Sequence, residues 1–119
     1  MNSGNTPRRK GQRGELEFRK LLEETGLRVI ATGAMQRGKA PMADLLVTSP
    51  WGIAEACIEV KHTKAWRMSE YLDQMDRQTR AGSVGALALR KPGDPRWFIG
   101  CWWDQFHELA HVLRGAPDL

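Results

Sequence analysis

A chain of 119 residues with a formal net charge of +4 and a pI near 9.4 is long enough for one hydrophobic core and too short for two. Its two cysteines, Cys57 and Cys101, lie far apart and make no disulfide framework, which points to a reduced, cytoplasmic setting. No run approaches transmembrane length and the opening Met1-Asn2-Ser3-Gly4-Asn5 lacks the apolar stretch of a signal peptide, so the expectation is a soluble protein with no membrane partner.

Residues 1–9, rich in Asn, Ser, Gly and Pro, read as a flexible basic arm, and residues 10–119 as a single domain. Arg8, Arg9, Lys10 and Arg13 come before the first acid, Glu15. Such a run can track phosphates, or simply solubilise a disordered tail. A helix is expected from near Gln12 to Thr25, stopped by Gly26. Phe18, Leu21, Leu22 and Thr25 form its apolar stripe, with Glu15 on the stripe's flank at the margin of the core and Glu17 turned further to solvent. Leu27 to Thr32 reads as a short strand, and Gly33 to Pro41 as a mobile loop made positive by Arg37 and Lys39.

Two apolar runs follow, Ala43-Asp44-Leu45-Leu46-Val47 and Cys57-Ile58-Glu59-Val60-Lys61. Charges are rare inside strands that read as core. Strand alternation sends Glu59 and Lys61 to one face, and Ile58 and Val60 to the other. Ser49-Pro50-Trp51-Gly52 has the residues of a four-residue hairpin loop. If Thr48 pairs with Ile53, Asp44 falls opposite Cys57, with Glu59 its diagonal neighbour at about 7 Å between Cβ atoms. A slip of one residue would send Asp44 to the other face.

Beyond His62-Thr63-Lys64, a second helix is expected from Ser69 to Ala81, with Ser69 as N-cap and Gly82 closing it. Met68, Leu72, Met75 and Thr79 would pack it down, beside a polar row of Tyr71, Gln74 and Gln78. Val84 to Leu89 is a buried-type strand, Lys91-Pro92-Gly93-Asp94-Pro95 a turn, and Arg96 to Trp102 a last strand. Asp104 is placed to cap a final helix running to Arg114. The order αβββαββα implies an α/β fold: a mixed central sheet flanked by helices, with the second helix crossing over to a parallel strand.

Two carboxylates and an ammonium converging at a sheet edge suit Mg²⁺, which keeps several waters and takes one or two protein carboxylates. One or two metal ions on Asp44 and Glu59 would neutralise charge during phosphodiester hydrolysis and activate water. Lys61 would orient that water or contact the phosphate, Glu15 would add a ligand, and Val60 would offer its carbonyl oxygen. The plainer reading is an exposed hairpin face carrying an ordinary Glu–Lys pair.

Lys10-Gly11-x-x-x-Glu15, then Asp44, then Cys57-Ile58-Glu59-Val60-Lys61 resemble the PD-(D/E)XK nuclease superfamily, and most closely its archaeal-type Holliday junction resolvase branch with its phage relatives. The resemblance runs from about Arg9 to Trp103. It implies a restriction-endonuclease-like αβββαβ core with an extra C-terminal strand and helix. Asp44 and Glu59 would be metal ligands, Lys61 the catalytic lysine, Glu15 the acid of the first helix and Gln74 a polar residue beside the site. It also implies Mg²⁺, with Mn²⁺ able to substitute, in a bacterial, archaeal or phage-infected cell. Two features depart from the family: Ala43 stands where it has proline before the aspartate, and the loop Gly33 to Lys39 lacks the serine usual in the resolvase branch.

The expected activity is therefore a metal-dependent DNA endonuclease, selective for branched DNA. Arg8, Arg9, Lys10, Arg13, Arg37, Lys39 and Lys64 would contact phosphates, which position without reading sequence. The alternatives are a restriction- or repair-type nuclease on duplex or flap DNA, and a non-catalytic DNA-binding relative. Trp66 and Arg67 would pack or else face DNA. A competing pattern, His107-Glu108-Leu109-Ala110-His111, has the spacing of a zinc peptidase motif, but Asp118 is its sole local candidate for a third ligand. Phe106, Leu109, Ala110 and Leu113 account for that helix as packing. Trp97, Trp102 and Trp103 with Phe98 and Phe106 read as mostly core, though aromatic residues also anchor interfaces. Cutting two strands of a junction symmetrically needs two sites, and so a homodimer.

Overall fold

The computed structural model describes residues 7–31, 43–49 and 55–114. Its elements are α1 (Pro7–Glu24), β1 (Arg28–Ala31), β2 (Leu45–Thr48), β3 (Glu55–His62), α2 (Met68–Gln78), β4 (Val84–Arg90), β5 (Phe98–Gly100), a 3-10 turn (Trp103–Gln105) and α3 (Phe106–Leu113). This is the expected αβββαββα order. The strands make one five-stranded sheet in sequential order. Every neighbouring pair is antiparallel except β3 and β4, which run parallel. A parallel pair needs a long crossover, and α2 supplies it.

The central strands are covered on both sides, so β4 is buried from Val84 through Leu89 and reads as a continuous apolar run. Alternation divides the core. On one face Leu45, Val47, Ile58, Val60, Ala86 and Ala88 pack with Phe18 and Leu22 of α1 and Leu109 and Val112 of α3. On the other, Leu87 and Leu89 pack with Tyr71 and Met75 of α2, and Ala43, Leu46 and Cys57 form a smaller patch. Since Glu59 pairs with Leu87 and Lys61 with Leu89, both charged residues belong to the face covered by α2.

The register of β2 against β3 differs from expectation. Thr48 pairs with Glu55 rather than Ile53, and Leu46 rather than Asp44 lies opposite Cys57. The connection runs over residues 49–54, longer than a four-residue turn. Because the shift is two residues, every side chain keeps its face. Continuing the ladder one step past Leu45↔Ile58 sets Asp44 across from Glu59 instead of diagonal to it. Pro50, Trp51 and Gly52 lie outside the described residues, as does the loop from Gly33 to Pro41.

The helices depart from expectation at their ends and in their rotation. Helical backbone begins at Pro7, ahead of Gln12, and takes in residues 7–9 of the expected arm. Its buried line is Gly14, Phe18 and Leu22 at intervals of four, while Leu21 is 44% exposed and Thr25 is also exposed. Helix α2 starts at Met68, so Ser69 is inside it and the N-cap position, Arg67, makes no side-chain cap. Tyr71 and Met75 are its buried residues, Met68 is exposed, and Gly82 sits in the turn beyond the helix with φ +84°. Asp104 lies in the 3-10 turn and caps nothing, and α3 buries Leu109 and Val112 but leaves Phe106 and Ala110 exposed. The last strand shrinks to Phe98–Gly100. Phe98, Trp102, Trp103 and Phe106 are exposed and not core; Trp97 alone of that group packs against the main core. Each expectation placed the stripe from hydrophobicity, whereas the sheet surface selects which side of a short helix it covers.

One glycine fixes how closely α1 can lie on the sheet. A Cβ built on Gly14 would stand 2.5 Å from the Cβ of His62 on β3, and neither atom can swing away. In an exposed helix, replacing Gly by Ala stabilises by about 1 kcal/mol. Here Gly14→Ala should instead lower stability by about 1–3 kcal/mol, the usual range for overpacking, as measured by urea unfolding. A gain in stability would show that α1 and β3 are not in contact at this point.

Candidate active site

The β2–β3 ladder ends at Leu45↔Ile58, leaving the next inward N–H on β3, that of Val60, without a strand partner. Asp44 takes its place: the Val60 N–H donates to Asp44 Oδ2 at 2.8 Å. This pins the carboxylate beside Glu59, whose side chain is 1% exposed. Among the described residues, neither Glu59 oxygen accepts a hydrogen bond of ordinary geometry; its polar neighbours are Asp44, backbone and side chain, and Lys61 Nζ at 4.0 Å from Oε2. A buried carboxylate so poorly satisfied is costly as an anion.

Lys61 is better held. Its Nζ donates to Gln74 Oε1 at 2.7 Å and lies over the Tyr71 ring, 5.2 Å from the centroid. Gln74 and Tyr71 sit one turn apart on α2, so one helix face supplies both contacts. Gly14 brings α1 against β3, and Glu15, the next residue, comes within electrostatic reach of Asp44.

The titration of these groups follows from this packing. Desolvation first, then repulsion from Asp44, lifts Glu59 to about 8, with Lys61 pulling the other way. Burial and the Asp44 charge likewise lift Glu15 to about 7, against the opposing pull of Arg19. Asp44 is also raised by burial, while the Val60 N–H and Lys61 oppose the shift. One proton shared by Glu59 and Asp44 relieves both the burial and the repulsion. A divalent cation would do so more completely, and the chemistry of two adjoining carboxylates fits one. In a strand, a residue's N–H and C=O point to the same edge, so the Val60 carbonyl faces the side from which Asp44 reaches and completes a set of hard oxygen donors.

The structure thus brings Asp44, Glu59, Lys61 and Gln74 together, with Glu15 at the margin. Among the described residues, no three His, Cys, Asp or Glu side chains are close enough to hold a metal ion jointly. The proposed ligand set is therefore a carboxylate pair with a backbone carbonyl, and Glu15 stands further out. Of the expected phosphate contacts, Arg13 and Lys64 are exposed. The side chains of Arg8, Arg9 and Lys10 and the whole of Arg37 and Lys39 lie outside the described residues. Tyr71 was legible only as part of a polar row with Gln74. Glu17, expected in solvent, instead pairs with Arg90 at the end of β4. His107 and His111 are exposed on α3, they too gather no third ligand among the described residues, and Asp118 lies outside those residues.

Comparison with known proteins points to a nuclease family and its fold. The family model described as "Phage putative PDDEXK endonuclease" matches residues 6–81, a span that contains Glu15, Asp44, Glu59, Lys61 and Gln74. Among solved structures, the chain is similar to Hjc of Archaeoglobus fulgidus, described as a Holliday junction resolvase from an archaeal hyperthermophile. The TM-score is 0.57 and the identity 21%, over 75% of this chain and 73% of that one; at that identity the likeness is one of fold. No curated protein matches the chain. Nucleases of the PD-(D/E)XK kind generally depend on a divalent metal ion.

The raised carboxyl of Glu59 has a consequence for stability. A group that binds its proton more tightly folded than unfolded loses folding free energy as pH climbs between the two values. With EDTA present, stability should therefore fall from about pH 4.5 to about pH 8, the window set by the ordinary and raised Glu59 values. Glu59→Gln should flatten that fall and raise Tm at pH 8.5 by about 5 °C or more, read by thermal unfolding. A wild-type Tm independent of pH over that window would contradict the buried, repelled carboxylate.

Proposed function

The chain belongs to the phage PDDEXK endonuclease family, and from that premise we propose that it is a Mg²⁺-dependent endonuclease that hydrolyses DNA phosphodiesters at branched structures such as four-way junctions. The observation that carries the reading is the buried Glu59 beside Asp44, which the Val60 N–H holds in place, with an ammonium held beside them. When bound, a divalent cation supplies positive charge against the phosphate and makes water easier to deprotonate. Asp44, Glu59 and the Val60 carbonyl would hold it, and Mn²⁺ would fit the same oxygen donors.

The remaining steps belong to the chain's own groups. Water attacks phosphorus as the P–O bond to the departing strand breaks, and that oxygen leaves with a proton. Lys61 donates hydrogen bonds to the phosphate or to the attacking water, since Nζ has donors to spare beyond the one given to Gln74. Gln74 and Tyr71 act through Lys61 as positioning residues. Glu15, at the margin of the pair, is raised to about 7 in the metal-free protein by burial and by the Asp44 charge, and a cation on Asp44 would remove the second cause. Arg8, Arg9, Lys10, Arg13, Arg37, Lys39 and Lys64 serve as phosphate contacts. The chain acts in the cytoplasm; among the described residues, no helix is long and apolar enough to cross a membrane. The missing loop serine favours a second reading within the same chemistry, a nuclease on duplex or flap DNA.

Asp44→Asn and Glu59→Gln should each reduce cleavage by at least about 10³-fold, the scale on which loss of electrostatic stabilisation is felt, while leaving DNA binding in place. The measurement is a cleavage panel with Mg²⁺ on four-way junction, flap, nicked and linear duplex. Cutting at the wild-type rate by either variant would remove the site, and junction DNA cut no faster than linear duplex would remove the structural selectivity.

Symmetric cutting needs two sites, and the aromatic surface beyond β5 suits a twofold dimer. Trp103 is 85% exposed and stacks on the exposed Phe106 at 5.8 Å between centroids. Aromatic anchors of this kind carry much of an interface's energy. Trp103→Glu should convert the protein to a monomer in sedimentation equilibrium. A wild-type monomer at the same concentration would dismiss the dimer.

A further inference from the structure

A cleft of about 290 Å³ lined by Trp66, Lys91, Asp94, Arg96, Trp97 and Phe98 lies outside the carboxylate site. We propose that this cleft receives a single unstacked nucleobase from the DNA strand beside the one being cut; the inference rests on the reading of the protein as a DNA nuclease.

Its place follows from the strand ends. β3 and β4 finish side by side, with His62 opposite Arg90, and the Thr63 N–H donates to the Arg90 carbonyl at 3.1 Å. Lys91 follows Arg90 directly, and Lys61 precedes His62. On the α2 side, the Tyr71 hydroxyl donates to the Ala65 carbonyl at 3.3 Å, next to Trp66, while its ring carries Lys61. Tyr71 thus holds Lys61 on its ring and packs in the cluster against which Trp66, a wall of the cleft, is set. Both sites open at the carboxyl ends of the parallel strands, where ligands of α/β sheets gather.

The chemistry of the walls names the ligand. Trp66 is braced on Phe98 at 5.9 Å between centroids, and Trp97 on Phe18 at 4.8 Å. The aromatic faces are thus fixed before anything binds. The volume is at the small end for ligand pockets and suits one planar ring system rather than a run of nucleotides. Asp94 brings little repulsion, because Arg96 donates to it through its backbone N–H, Nε and a terminal nitrogen at 2.8–3.1 Å. Arg90 is engaged by Glu17. Lys91 Nζ, by contrast, lies over the Trp66 ring at 5.5 Å and has no acidic partner among the described residues. An indole to stack a base, and an ammonium without a carboxylate partner that can leave the ring face for the phosphate as the base enters, is the pairing by which proteins hold single-stranded nucleic acid without reading sequence. A base inside a duplex has both faces covered, so only an unpaired one can enter. Branch points, flaps and strand ends supply such bases.

The test uses the full chain in EDTA, with flap DNA carrying 2-aminopurine at an unpaired position next to the branch, and the same probe at a paired position. The wild-type protein should quench the unpaired probe and leave the paired one unchanged. Trp66→Leu should abolish the quenching and weaken flap binding about tenfold, within the range for loss of base stacking. Lys91→Ala, at an exposed position, should weaken flap binding severalfold without lowering Tm, which guards against misfolding of the tryptophan variant. Unquenched unpaired probe, or unchanged flap affinity in the Lys91 variant, overturns the cleft even if the protein still binds duplex and cuts it with Mg²⁺. Failure to bind or cut any DNA overturns both the cleft and the nuclease reading.

Discussion

The hydrogen bond from the Val60 N–H to Asp44 Oδ2, 2.8 Å long, is the contact on which the site depends. It closes the ladder where β2 gives out, and it does so with a charged group. A buried N–H left without an acceptor costs about 1–3 kcal/mol, so the backbone itself holds Asp44 in position. The same bond forces a second carboxylate, Glu59, into its company. The repulsion between them is a strain that a proton relieves partly and a divalent cation more fully. The fold thus makes a place for positive charge out of an ordinary requirement, that every buried N–H find a partner.

The second constraint is the crossover. Because β3 and β4 are parallel, the chain between them must leave the sheet and return, and α2 is that path. Its return over the sheet sets Gln74 and Tyr71 beside Lys61. Lys61 is therefore oriented by the element that makes the parallel pair possible. A lysine four carbons long in open solvent would sample many rotamers; here the acceptor and the ring choose one region for it. On the opposite side, Gly14 admits α1 to close contact with His62, and the acid of the first helix follows from that closeness.

The outward-facing aromatics place the remaining chemistry at the rim. The short β5 strand and the turn after it leave Phe98, Trp102 and Trp103 at the surface. Phe98 stands with Trp66 and Trp97 beside Lys91 and Arg96, so the rim at that end is aromatic and basic at once; Trp102 is instead tied to Asp76 of α2. Glu59 and Lys61 lie deeper, under α2, where burial strengthens their mutual electrostatics.

Much of this was open to reading in the sequence. Period-2 alternation assigned Glu59 and Lys61 to one face, and parity kept Asp44 there, because a two-residue change of register preserves sides. The order of elements, and the need for a helix between parallel strands, followed from local patterns of apolar residues and glycines. Only the tertiary structure decided that Asp44 faces Glu59 directly, since loop length between strands is not encoded in their alternation. It alone turned α2 so that Tyr71 went inward and Met68 outward, and left the C-terminal aromatics exposed. Those outcomes depend on which surface a helix meets and how much sheet remains to be covered, quantities that belong to the packed molecule and to no single segment of the chain.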